Sequence, residues 1–566
     1  MMSPTHLLRL HAAPRRLAST LSRFARGEAG TMTIFGIYLA VLILMIGGIA
    51  VDVMRSESVR TKVQNVEDTA VLAATNLNQS LDPTAVVKDY FAKADMTKYL
   101  KSVHVTSSAT SRTVTAHATT TLPTFFMKLE GIDTLTTNNA STAVQSIGNV
   151  EISLALDNSG SMAQAITTSC SSKQYNNYGG WGNCTSESKI DALKTAASDF
   201  VDTMFNNSEP GTVTMSIIPY DSHVNIGPDL LKYLNVTQEQ TKTKCVDFTA
   251  AAFDTPSISP TAPLQRTAFA DEVHNTTNVT ASRVDCNSAS YRDSLVFSSS
   301  PSALKAEIGA MQAGGNTSID SGVKWAAAAL DPAWQPVVDR MIANGELASS
   351  YAGRPVSYND NSNMKVLIVM SDGENTARYQ LKPGYYSGPS HLFTNSDDPN
   401  NYSFYDPTRP QPYFWTVDDQ WHNLPYAKNG GTYTRCSYWS CGTYTAQGTA
   451  TELSYPQLWA KWSVPYFLNN VIAPAYGSYA ANTWYNNIVD IEDQTSMDSH
   501  LHAICSAAKA KGVLIYSIGF QTSTHGAATL TDCASAPSYY FNAQGTEISD
   551  VFAKIATSIQ HLRLTQ

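Results

Sequence analysis

From Ala29 to Val51 the chain carries no charged side chain, and the twenty residues from Met32 to Val51 (MTIFGIYLAVLILMIGGIAV) would measure roughly 30 Å as a helix, the thickness of a bilayer's hydrocarbon core. Such a stretch needs lipid or a large protein core around it, and one membrane span is the simplest reading. Arg9, Arg15, Arg16, Arg23 and Arg26 precede the stretch with Glu28, whereas Arg55, Arg60 and Lys62 follow it. This bias puts the N-terminus in the cytoplasm and the bulk of the chain outside. A cleaved secretory signal is the competing reading. Its apolar core is normally shorter and ends in a small-residue cleavage site, which Gly47, Gly48 and Ala50, followed by Asp52, match poorly.

The remainder is long enough for several domains, and 43% hydrophobic with 15% charged residues fits a folded protein. A net charge of -9 argues against nucleic acid as a partner, because phosphate contacts need clustered Lys and Arg. All eight cysteines (Cys170, Cys184, Cys245, Cys286, Cys436, Cys441, Cys505, Cys533) lie beyond the apolar stretch. An even count in a segment placed in an oxidising compartment favours disulfides, and nearest-neighbour pairing is the reading taken here. Zinc is disfavoured, since there is no C-x-x-C pair.

After the span, residues 57–81 repeat Val59, Val63, Val66, Ala70, Ala73 and Ala74 on one helical side, which gives a membrane-proximal helix. Residues 101–148 change to alternating Thr and Val, the pattern of strands in a small β unit. Beyond Asn149, apolar strands at 150–156, 212–219, 365–370 and 513–518 alternate with helices at 189–205, 302–312, 320–330, 497–509 and 546–559. Near-continuous apolar strands separated by helices argue for a parallel sheet covered on both faces, a doubly wound α/β domain. Two long polar segments interrupt it. Residues 225–298 carry Cys245 and Cys286, and residues 379–490 hold 15 of the 28 Tyr and six of the nine Trp. Both are expected to fold as their own decorations. The aromatic one forms either a core of its own or an exposed recognition surface.

Ligands of doubly wound sheets sit at the carboxyl ends of the strands. Three stretches offer oxygen side chains there: DNSGSM with Asp157, Ser159 and Ser161; GGNTSIDSG with Thr317; and VLIVMSDGEN with Asp372. Two carboxylates and three hydroxyls suit a hard divalent cation such as Mg²⁺, with Mn²⁺ or Ca²⁺ as alternatives, and do not suit zinc. Taken alone, D-x-S-G-S is also an ordinary turn, because Asp and Ser bond their own backbone.

In this order, the three stretches resemble the von Willebrand factor A (vWA) domain family, whose metal-ion-dependent adhesion site (MIDAS) is D-x-S-x-S, then Thr, then Asp. The resemblance implies Asp157, Ser159, Ser161, Thr317 and Asp372 as the metal ligands, with one coordination position open to an acidic side chain of a partner. The N-terminal run from Arg23 to Leu77, with Gly48, Ala50, Asp52 and Arg55 in a G-x-A-x-D-x-x-R pattern, is similar to TadG-like proteins of the Tad (Flp) pilus system. The segments LPTFFMKLEGIDTLTTNNAST, YSIGF and CASAPSYYFNA continue that likeness.

Together these resemblances imply a cytoplasmic basic segment (1–28), a transmembrane helix (29–53), a membrane-proximal helix and β unit (54–148) and a vWA domain (149–566) with insertions at 225–298 and 379–490. They further imply a bacterial inner-membrane protein, crossing once, with its bulk periplasmic or on the cell surface and a pilus or envelope protein as partner. No H-E-x-x-H and no P-loop occurs, and DNSGSM is not G-x-S-x-G. A hydrolytic role would need a general base that the sequence does not name, so binding is expected rather than catalysis. His223, just after a strand, could face the metal side, but a solvated loop histidine is the preferred reading. A structural tether whose metal only stabilises loops is the rival of a different class.

Overall fold

The structure is a computed structural model describing residues 29–76, 81–107, 111–146, 149–166, 187–206, 208, 211–360, 363–436 and 439–565. The basic segment 1–28 and the Cys170/Cys184 pairing lie outside these residues. The chain divides into two compact units at residues 147/148.

In the first unit the span and the membrane-proximal helix are one element, α1 (Ala29–Thr75), rather than two. The charges at Asp52 and Arg55 mark a change of surroundings, and nothing there terminates a helix. A further helix, α2 (Pro83–Lys93), is started by Asp82, whose carboxylate accepts from the Ala85 amide, with Pro83 at its first position. The strands β1 (Leu100–Ser107), β2 (Ser111–Pro123) and β3 (Thr134–Ser146) form an antiparallel meander. Val63, Ala70, Val71 and Ala74 of α1 pack with Phe91 of α2 and Val114, Ala116 and Ala118 of β2. Across β2 and β3, threonine pairs Thr115/Thr142 and Thr120/Thr137 are hydrogen-bonded, which ties the two strands on their polar positions.

Glu67 is fully buried on the packing side of α1, and neither carboxyl oxygen has a hydrogen-bond partner among the described residues. Burial, helped by the Asp68 charge, pushes its pKa up to about 7. A raised carboxyl keeps its proton longer in the folded state, so stability falls as pH climbs from the ordinary value of 4.5 to about 7. Hydrogen exchange of the β2 amides is therefore expected to quicken between pH 5 and 7.5 beyond the intrinsic rate, and to lose this excess in Glu67→Gln. An unchanged excess in the variant would remove Glu67 as its source.

The second unit is built on a six-stranded sheet. Its strands are β4 (Asn149–Asp157), β5 (Val213–Tyr220), β6 (Leu295–Ser298), β7 (Asn363–Ser371), β8 (Leu514–Phe520) and β9 (Tyr540–Ala543), in spatial order β9-β8-β7-β4-β5-β6. All neighbours are parallel except the edge pair β5/β6. Successive residues of β7 point to opposite faces. Val366, Ile368 and Met370 meet α3 (Lys189–Asn206), α4 (Pro301–Ala310) and α8 (Glu547–Thr565). Leu367 and Val369 meet α5 (Ile319–Ala328), α6 (Gln494–Ala510) and α7 (Thr524–Cys533). This is the doubly wound α/β arrangement that the apolar strands foretell.

The four expected strands and five expected helices are present, while the short edge strands β6 and β9 and helix α7 were not foreseen. Disulfides join Cys245 to Cys286, Cys436 to Cys441 and Cys505 to Cys533, the nearest-neighbour pattern. Residues 379–490 contain a five-stranded antiparallel sheet followed by short helices, and Phe404, Phe414, Trp459 and Phe467 close a core of their own. Trp415, Tyr426 and Ala446 make a second small cluster.

Candidate metal site

Strand order reverses between β4 and β7, since β5 lies on one side of β4 and β7 on the other. A crevice opens at the carboxyl ends of strands at such a point. Asp157 closes β4 and Ser371 closes β7, with Leu156 paired to Met370 just below. That register lets the Ser371 hydroxyl donate to Asp157 Oδ2 at 2.7 Å. Asp157 Oδ1 accepts the Ser159 amide at 2.8 Å, which curls the chain back over the strand end. The Ser159 and Ser161 hydroxyls then lie 3.0 Å apart, and Ser161 donates to Asp372 Oδ1 at 2.6 Å.

Thr317 comes from the loop before α5, which is held to the first loop by Gly160 N to Gly315 O and Gly314 N to Asn158 O, both 2.9 Å. It is tied to the third loop as well: Thr376 N donates to Thr317 O at 2.9 Å, and Thr317 N to the Thr376 hydroxyl at 2.8 Å. Gly315 is in the left-handed region at φ +87°, and a Cβ there would collide with the Asp221 carboxylate. The three sequence-derived stretches therefore meet at one place. Hydrogen bonds link Asp157 to Ser159, Ser159 to Ser161 and Ser161 to Asp372, while Thr317 is joined through its backbone.

Three contributors were not visible in the sequence. Ser371 orients Asp157. Arg292, from the 225–298 insertion, pairs with Asp221 and donates to Gly314 O at 3.0 Å, bracing the Thr317 loop. Lys189, the first residue of α3, places its ammonium 2.7 Å from Asp372 Oδ2, with both side chains buried. Its partner is 183 residues away, so no local pattern betrays it. His223 is a correction: it is buried, with Nε2 3.2 Å from Asp247 Oδ1, not a solvated loop residue. Burial opposes its protonation, but Asp247 more than offsets this and raises its pKa.

Electrostatically the site is short of positive charge. Burial first, and the neighbouring Asp372 charge second, raise the Asp157 carboxyl to about 7. Two buried carboxylates share one ammonium. The side-chain amide of Asn158, between Asp157 and Ser159, is also buried with no partner among the described residues. A compact oxygen set with surplus negative charge fits a small divalent cation.

A second acidic group, Asp320, Glu492 and His500, brings one ligand atom from each residue within 4.8 Å of the others. The buried Arg378 guanidinium already lies against both carboxylates, 3.2 Å from Asp320 and in contact with Glu492. It also donates to the Ser318 hydroxyl at 2.7 Å. The positive charge of this group is thus supplied by the chain itself.

Comparison with solved structures finds the vWF domain of the type V pili tip protein Mfa5 from Porphyromonas gingivalis. The identity is 12%, over 74% of this chain and 97% of that one, with a TM-score of 0.29. The adhesive tip pilin GBS104 from Group B Streptococcus agalactiae gives 12% identity over 72% of this chain and 99% of that one, with a TM-score of 0.29. The pilus adhesin SpaC from Lactobacillus rhamnosus GG gives 11% over 81% and 34%, with a TM-score of 0.27. No curated protein sequence matches the chain. Residues 30–77, which take in nearly all of α1, match the family described as putative Flp pilus-assembly TadE/G-like, and over that helix the chain is similar to this family.

Proposed function

We propose that this chain is a single-span envelope protein of Flp pilus assembly or surface attachment, and that its α/β unit is a vWA-type domain binding a divalent cation, foremost Mg²⁺. The observation that carries the metal reading is the convergence of Asp157, Ser159, Ser161 and Asp372 at the switch point of the sheet. The family match over residues 30–77 supports the pilus setting. In this reading residues 29–53 anchor the chain in a bacterial inner membrane, residues 1–28 are cytoplasmic, and residues 54–148 and 149–566 work in the periplasm or at the surface. The protein acts by binding, with no catalytic residue.

Asp157, Ser159, Ser161, Thr317 and Asp372 would hold the ion, and when bound it would offer an open coordination position to an acidic side chain of a pilus or envelope partner. The chain's own residues do the preparatory work. Ser371 and the Ser159 amide fix the two oxygens of Asp157, Ser161 aligns Asp372, and Arg292 keeps the Thr317 loop against them. Lys189 neutralises Asp372, so that the two buried carboxylates are not both left uncompensated.

The test is isothermal titration of Mg²⁺ and Mn²⁺ into the full chain in detergent, comparing wild type with a Ser159→Ala, Ser161→Ala double variant and with Lys189→Met. Binding in wild type and its loss in the double variant are expected. Lys189→Met should bind on the order of tenfold tighter or more, because a like charge within a few ångströms is removed. Equal titration of wild type and the double variant would overturn the site.

A further inference from the structure

The loop between β2 and β3, residues 124–133, plays no part in the proposed metal site, yet it is fastened to α1 at the end of the apolar stretch. The Phe126 ring fills the notch at Gly48, where there is no room for a Cβ. The Asp52 carboxylate accepts the backbone amides of Phe125, Phe126 and Met127 at 3.0, 2.7 and 2.9 Å. Arg55 donates to Pro123 O at 3.1 Å and lies 4.7 Å from the centre of the Phe125 ring. Within the loop, the Thr124 amide donates to Asp133 O at 3.0 Å and the Thr124 hydroxyl to Ile132 O, so its shape is closed on itself.

The apolar side chains of this pinned loop are not buried in protein. Phe125 is 65% and Leu129 77% exposed, and Phe126 and Ile132 are each more than 40% exposed. A soluble surface rarely gathers four large apolar side chains on ten residues. The height of the loop on α1 identifies what covers them. Gly48 lies inside the uncharged run that ends at Val51, about 4–5 Å below its end at the helical rise of 1.5 Å per residue. Neighbouring residues of the same helix, Leu44, Ile46 and Val51, are themselves exposed. Phe126 is therefore level with side chains that need hydrocarbon, and Lys128 and Arg55 add the cationic groups favoured at a lipid headgroup level.

We infer that the β2–β3 tip is an interfacial anchor: Phe125, Phe126, Leu129 and Ile132 enter the leaflet into which the C-terminal end of the span opens, held there by the Asp52 carboxylate. The occupant of the apolar surface is the lipid already surrounding α1, and the inference rests on reading residues 29–53 as a retained span. The first unit then meets the membrane at two points, the helix and the hairpin tip, which fixes its height and tilt.

The test is photocrosslinking of the full chain carrying p-benzoylphenylalanine at Leu129, Tyr38 or Leu72. The protein is reconstituted in phosphatidylethanolamine/phosphatidylglycerol vesicles with alkyne-tagged acyl chains. Lipid adducts are expected at Tyr38 and Leu129 and not at Leu72, which is exposed but about 30 Å beyond Val51 along the helix. Asp52→Ala should lose most of the Leu129 adduct and keep the Tyr38 one. Adducts at Tyr38 without Leu129 would overturn the anchor and leave the span standing. Adducts at neither would overturn both, and an undiminished Leu129 adduct in Asp52→Ala would overturn the role of the carboxylate.

Discussion

Asp157→Ala is expected to abolish the thermal stabilisation of the chain by Mg²⁺ while leaving the chelated protein at least as stable as wild type. Most substitutions at a fully buried polar position destabilise, and the opposite sign here follows from the charge imbalance. Without a divalent ion, Asp157 and Asp372 are two buried carboxylates against the single ammonium of Lys189. Burial and Asp372 hold the Asp157 carboxyl up at about 7. A raised carboxyl loses folded-state stability as pH rises from its ordinary 3.8 to about 7, so the advantage of the variant under chelation should grow over that window and be full above it. With metal the order reverses. Ligand at a hundredfold excess over Kd adds about 2.7 kcal/mol to wild type alone. Melting curves of both proteins in chelator and in Mg²⁺, at pH 5 and pH 8, decide the matter. A Mg²⁺ shift surviving in Asp157→Ala would place the ion elsewhere.

Arg378→Met is expected to destabilise the second unit by about 3–5 kcal/mol at neutral pH, the range for stripping one partner from a buried ion pair. Asp320 and Glu492 lose their guanidinium together, and Ser318 and Ser321 lose a donor. The pH dependence gives the variant its signature. Burial works against the charge of Asp320, but Arg378, His500 and Ser318 more than offset it, and its pKa lies below the ordinary 3.8. Remove Arg378 and burial dominates, so the carboxyl is raised and the variant loses stability as pH climbs above about 4. Denaturant melts should show the deficit shrinking towards pH 4. Because Ser318 and Asp320 stand one and three residues after Thr317, Mg²⁺ affinity should weaken as well. A pH-independent deficit would mean that lost packing, not stranded charge, is responsible.

What could be read from the sequence, and what could not, divides by the range of the interactions. The strands ending at Asp157 and Ser371 are apolar at nearly every position because both faces of the sheet are covered, and that signature is local. The oxygen side chains after each strand end are local too, and the resemblance of their order to the vWA pattern is what groups Asp157, Ser159, Ser161, Thr317 and Asp372. Strands β6 and β9 are four residues each and lie at the sheet edges, where pairing with a neighbour rather than intrinsic pattern makes them strands. Lys189 and Arg378 were missed for a related reason. Each looks like an ordinary cation on its own element, and only the fold shows that its partner is a buried carboxylate far along the chain. His223 escapes a sequence reading in the same way, since its partner Asp247 belongs to an insertion with little regular structure.

The unbroken helix α1 has a mechanical consequence. It runs 47 residues from the apolar stretch into the core of the first unit, with no glycine-rich joint or coil between them. A flexible tether would stretch before passing on a load. A continuous helix whose far half is packed against α2 and a three-stranded sheet passes axial tension directly from that core to the apolar stretch. With residues 29–53 read as a retained span, any pull on the first unit would therefore be felt in the bilayer as a displacement of α1 itself.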